Sequence, residues 1–173
     1  MHQVIIASED LLITAANCLG KGSFDNDLRD YYQSHLEEER EHEAWLADDL
    51  RTAGIEVKSI PLMRKAVEMA GTQYYLIKHA HPAALLGYMA FLEGFPMPME
   101  VVDMLEDTHG KDLFRTLRFH ADHDLEHCKD LFKIIDTVPE HLHQLVLNSA
   151  TQTAIYMAEA AKEWHKETLC HKT

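Results

Sequence analysis

His35-Leu-Glu-Glu-Glu39-Arg-Glu-His42 and His120-Ala-Asp-His-Asp124-Leu-Glu-His127 share one pattern, His-x3-(Asp/Glu)-x2-His. On an α-helix, positions i, i+4 and i+7 fall within roughly 60° of arc, so each triplet faces one way. Outward from the first triplet, Leu28, Tyr32, Leu46, Asp49 and Ala53 continue the alternating four-three spacing of a packing seam. Leu113, Leu117, Leu131, Ile134 and Val138 do the same around the second. Each polar triplet therefore sits in the middle of an apolar stripe. Burying three titratable groups there costs several kcal/mol, roughly, unless they are paired or metal-bound.

The same three-and-four periodicity runs through the rest of the chain, and strand signals are nearly absent. The spacing predicts helices over about 2–19, 25–53, 61–79, 82–94, 99–108 and 111–137, and a last one from Pro139 to about 168. Gly20, Gly54 and Gly110 mark helix ends, and Pro61, Pro82 and Pro139 mark starts. With no low-complexity linker, residues 1–173 read as a single all-α domain of about six to seven helices.

Between the two triplets, Ala83-Ala-Leu-Leu-Gly87-Tyr-Met-Ala-Phe-Leu-Glu93 carries one charge, Glu93, and Gly87 would let a neighbouring helix approach closely. A lone carboxylate at the end of such a run needs a cation. The candidate ligands are His35, Glu39, His42, Glu93, His120, Asp124 and His127. Seven donors exceed what one ion uses and suit two ions with room for oxygen or water. Nitrogen and carboxylate oxygen without thiolate favour iron or manganese, with zinc, nickel and copper compatible by ligand type.

A single such triplet is commonly no more than a solvated helix face, but two copies on apolar seams with Glu93 between them favour a metal centre. Glu37, Glu38, Glu41 and Glu43 read as the solvated flank of the second helix. Asp49, on the ligand seam, is expected to hold a ligand's second ring nitrogen. Tyr32, Leu46, Met89, Leu117 and Tyr156 are the candidate walls of a substrate pocket.

Composition narrows the function classes. Hydrophobic content of 46% with 8% aromatics fits a globular protein with a substantial core. A net charge of -13 argues against nucleic-acid and anionic-membrane partners. Cys18, Cys128 and Cys170 are widely spaced free thiols on this reading, which with the lack of a targeting signal points to the cytoplasm. Neither a phosphate-binding glycine loop nor a dinucleotide fingerprint is present.

Three blocks resemble the heme-oxygenase-like diiron oxidases and oxygenases: His35 to Leu50 (HLEEEREHEAWLADDL), His81 to Gly94 (HPAALLGYMAFLEG) and Phe119 to His127 (FHADHDLEH). The middle block is also similar to the LGxxYxLEG signature of heme oxygenases proper. The third block matches the family's ligand helix at His120, Asp124 and His127, and Glu93 matches its second-helix glutamate. The resemblance implies a heme-oxygenase-like bundle and a pair of iron ions, or manganese or a mixed iron–manganese pair, with O2 as co-substrate. Members oxidise small amines, amino acids or fatty acids by N-oxygenation, C–C cleavage or decarboxylation, and their iron is readily lost.

The chain departs from the family where a glutamate two turns before His42 is usual and His35 stands instead; Glu39 is the carboxylate placed to take over. The chain is shorter than many members of that family, which implies pocket ends that are either abbreviated or supplied by the second subunit of a homodimer. Two other readings compete with an oxygenase: a metal store or sensor on the same scaffold, and a heme-binding protein with one axial histidine.

Overall fold

The computed structural model describes the backbone of residues 2–170 and the side chains of residues 2–163. Among the described residues eight α-helices follow one another: α1 (His2–Cys18), α2 (Ser23–Glu39), α3 (His42–Thr52), α4 (Arg64–His79), α5 (Ala84–Glu93), α6 (Met99–His109), α7 (Arg115–Ile135) and α8 (Glu140–Cys170). Single 3-10 turns at Val57–Ser59 and Lys111–Leu113 lead toward α4 and α7. No strand occurs among the described residues, and none of the helices searched is long and apolar enough to cross a membrane.

The helix α5 is the axis of the bundle. Its residues Ala84 to Met89 are all buried, as expected for a segment apolar on every side. Its broadest packing is against α8. A Cβ at Gly87 would lie 2.1 Å from the Val146 carbonyl oxygen and 2.8 Å from the Ala150 nitrogen, so the two backbones meet where glycine alone fits. Around this axis, α1 lies on α2 and α4, α4 on α8, and α7 bridges α5, α3 and α6. Leu11, Leu28, Tyr32, Met69, Leu85, Leu86 and Leu131 fill the core. Within that core, the Ser149 hydroxyl donates to Gln73 Oε1 at 3.0 Å, so α4 and α8 are joined by a satisfied buried polar pair.

The continuous helix expected over 25–53 is two helices. Arg40 turns extended and Glu41 takes a left-handed conformation, φ 72° and ψ -8°. Neither Gly nor Pro stands there. The physical pressure is charge: Glu37, Glu38, Glu39, Glu41 and Glu43 crowd the C-terminal end of α2, where the helix dipole already disfavours anions. The helix expected from Pro61 begins three residues later, at Arg64, after an extended approach. The stretch expected as one helix from 111 opens with the 3-10 turn, and α7 proper starts at Arg115.

Candidate metal centre

Four elements converge beneath α1: the end of α2, the start of α3, the end of α5 and the middle of α7. They bring two groups of metal-ligand type together, His35–Glu38–His127 and Glu39–His42–His120, each with donor atoms within 4.8 Å of one another. The rings of His35 and His127 lie 5.3 Å apart and those of His42 and His120 4.8 Å apart. Glu93, the last residue of α5, places Oε1 3.3 Å from His35 Nε2. Asp124 Oδ1 lies 3.2 Å from His120 Nδ1 and 4.0 Å from His127 Nδ1. Glu39 accepts from His42 Nδ1 at 3.2 Å and lies 3.9 Å from His35 Nε2. Asp124 and Glu39 thus each touch a histidine of both groups.

All seven candidate ligands therefore lie in one place, and an eighth residue joins them. Glu38, expected on the solvated flank, is 47% exposed, yet its Oε2 lies 3.3 Å from His127 Nε2 and 3.7 Å from His35 Nδ1. The available signal was its position one turn after His35, on the same helix face. Glu37, by contrast, pairs with Arg40 in solvent. Glu43 does not point away either: it accepts from Nε2 of the buried His2, pinning α1 to α3.

Four carboxylates and four imidazoles would balance two divalent cations. Without an ion, protons take that role. Burial alone would lower the His35 pKa, but Glu93, Glu39 and Glu38 together raise it above the ordinary value. His120 follows the same pattern, with burial opposed and outweighed by Asp124, Glu39 and Glu93. Burial would raise Glu39, yet His42, His35 and His120 hold it below the usual carboxylate range. Three buried atoms of these ligands find no hydrogen-bond partner: His42 Nε2, His127 Nδ1 and Glu93 Oε2. Orphans of this kind are rare and call for an explanation. A donor set of nitrogen and oxygen, with lone pairs left over at three points, fits a pair of iron or manganese ions.

Aromatic side chains cover two of the four histidines. The His42 ring meets Trp45 and Phe119, each at 5.0 Å, and Tyr31 stacks on His35 at 5.8 Å. The Tyr31 and Tyr88 hydroxyls are buried without partners, and burial, reinforced by Glu93, pushes both phenols well above their ordinary pKa. A chamber of about 20 Å³ abuts His35, Glu39 and Glu93, walled by Ser8, Leu11, Leu12, Leu85, Tyr88 and Met89. That is room for about one water-sized molecule.

Of the five expected pocket walls, Met89 lines this chamber. Tyr32 is fully buried with its hydroxyl donating to the Pro82 carbonyl at 3.0 Å. Tyr156 does not line the chamber, and its ring lies 5.5 Å from Lys65 Nζ. Leu46 and Leu117 are half-buried and line neither the chamber nor the wide acidic cleft between α3, α6 and α7. Asp49 does not orient a ligand ring. Its Oδ2 accepts the Thr116 backbone N–H at 2.8 Å, so α3 caps the first turn of α7, the helix that carries His120, Asp124 and His127.

No protein-family model matches the chain, and no curated protein matches it. Among solved structures, it is similar to a domain of unknown function with a heme oxygenase-like fold from Shewanella denitrificans OS217. The two superpose with a TM-score of 0.76 over 99% of this chain and 81% of that one, at 15% identity. Identity this low speaks for architecture alone: the chain is an all-α, heme-oxygenase-like helical bundle.

Proposed function

We propose that this chain binds two iron ions and activates dioxygen, as a non-heme oxidase or oxygenase of a small organic substrate such as an amine, amino acid or fatty acid. The observation that carries the reading is the meeting of two His/carboxylate groups in which His42 Nε2, His127 Nδ1 and Glu93 Oε2 are buried without a hydrogen-bond partner. His42, His120 and Glu39 would hold one ion, and His35, His127 and Glu38 the other, with Asp124 and Glu93 completing the set. Iron so bound supplies the electrons that reduce dioxygen. Trp45 and Phe119 exclude water from His42, and Tyr31 covers His35. The buried phenols of Tyr31 and Tyr88 stay protonated and keep a proton beside the centre.

The test is anaerobic titration with Fe(II), followed by O2. Uptake of two equivalents and a transient visible absorption on oxygenation are expected, both lost in the His120→Ala/Asp124→Ala double variant. No uptake above background, or full uptake by the double variant, would sink the reading. Hemin should give no Soret band.

The chamber's size favours a second reading, a metal store or sensor. About 20 Å³ admits dioxygen or water but no organic substrate unless the surrounding helices part. A store or sensor takes up metal in the same stoichiometry yet consumes no oxygen with any reductant or substrate.

A further inference from the structure

Among the eight side chains of the centre, Glu38 stands apart in its exposure. His42 is sealed from solvent and Glu39 is 9% exposed, whereas Glu38 is 47% exposed. It is nonetheless in contact with two inner imidazoles, His127 Nε2 at 3.3 Å and His35 Nδ1 at 3.7 Å. In this group the carboxylate reaches water, and in the Glu39–His42–His120 group it does not. His127 Nδ1 adds an independent sign that a ligand belongs here, being buried and without a partner.

A hydrated divalent ion loses its waters reluctantly and most readily one at a time, each replaced by a protein donor. A carboxylate half in solvent can take the hydrated ion first and pass it to imidazoles a few ångströms away. The Glu39–His42–His120 group offers no carboxylate so placed: Glu39 is 9% exposed, Trp45 and Phe119 close over His42, and its outermost donor is the 23% exposed imidazole of His120. Resting on the metal-centre reading above, we infer that Glu38 is the carboxylate through which a divalent cation passes between solvent and the His35–His127 pair. That half of the centre exchanges its ion, while the Glu39–His42–His120 half retains it. Glu38 also returns a carboxylate to the turn in which His35 stands.

The experiment loads the full chain anaerobically with two equivalents of Co(II) and follows loss of its visible spectrum on adding excess EDTA. Wild type should release one equivalent fast and one slowly. Glu38→Gln should weaken uptake of the fast equivalent by at least roughly ten-fold and leave the slow one unchanged. His42→Ala should remove the slow equivalent, and Glu37→Gln, on an exposed neighbour paired with Arg40, should change neither. Release in a single phase, or a Glu38→Gln protein with both phases unaltered or with only the slow phase altered, overturns the inference while leaving the metal centre standing. Failure of wild type to bind Co(II) at all overturns the metal centre itself and this role with it.

Discussion

His35 Nε2 lies 3.3 Å from Glu93 Oε1, so the buried imidazole of α2 meets the lone carboxylate of α5. A glutamate in its place would face Glu93 and Glu39 without a neutralising proton. His35→Glu should therefore destabilise the metal-free protein, on the order of 3 kcal/mol as for a buried charge left unpaired. Divalent metal should restore more stability to the variant than to wild type, because the added charge favours cation binding. Thermal unfolding of both proteins with and without Mn(II) checks this; equal metal-induced shifts would refute it.

The same pairing fixes a pH dependence for the metal-free chain. His35 and His120 both have folded-state pKa values raised above 6.5. Their stabilisation is fully present below the unfolded pKa and is lost as pH rises through the raised values. Glu39 works in the opposite direction: its lowered pKa gives stability above the unfolded carboxylate value that is lost as pH falls through the folded one. The metal-free melting temperature should thus fall on the alkaline side of about pH 6.5 and again in acid. Metal should abolish the alkaline fall, since ions bind deprotonated imidazole and gain affinity as pH rises. Calorimetry across this range, with EDTA or Mn(II), is the measurement.

The centre was legible in the sequence to the extent that helical spacing determines it. Two polar triplets on apolar seams and one charge ending an apolar helix are statements about which side of a helix faces inward, and those seven residues do converge. The close approach at Gly87 was visible for the same reason. Spacing could not show where the helix breaks, which hid the turn at Glu41, and it placed Glu38 on the face of His35 without showing that its carboxylate reaches His127. Nor could it reveal that Asp49 serves a backbone N–H across the core, because the seam fixes a direction and not a partner. Chamber size depends on the side chains of three helices at once and left no local signature.

Asp49 couples the fold to the centre. Replacing it with Ala leaves the buried Thr116 N–H unpaired and removes a favourable anion from the start of α7, for a loss of about 1–2 kcal/mol. Because α7 carries His120, Asp124 and His127, metal affinity should fall as well although Asp49 touches no ligand. Asp49→Asn keeps an acceptor and should recover most of both. Urea unfolding and Mn(II) titration of the two variants test the coupling; weakened stability with unchanged affinity would show that the cap serves packing alone.

Two glycines should respond in opposite directions to alanine. At Gly87 the new Cβ would overlap the Val146 carbonyl and the Ala150 nitrogen, backbone atoms of α8 that cannot rotate away. Gly87→Ala should cost about 3 kcal/mol or prevent folding. Gly71, inside α4, has no atom within 4 Å of a built Cβ, so Gly71→Ala should gain up to about 1 kcal/mol from helix propensity. Denaturation midpoints for the pair decide whether the α5–α8 contact is as close as described.

Glu41 separates backbone strain from charge at the break between α2 and α3. Its φ of 72° is a conformation that L-residues adopt at a cost of about 1–2 kcal/mol and glycine adopts freely. The side chain is exposed and touches no residue of the centre, so metal uptake should be unaffected by substitution. Glu41→Ala removes one of the crowded negative charges and keeps the strain; Glu41→Gly removes both. The glycine variant should therefore be more stable than the alanine variant, by about 1 kcal/mol in chemical denaturation. Equal stabilities would mean that the turn stores no strain and that repulsion among the glutamates alone breaks the helix.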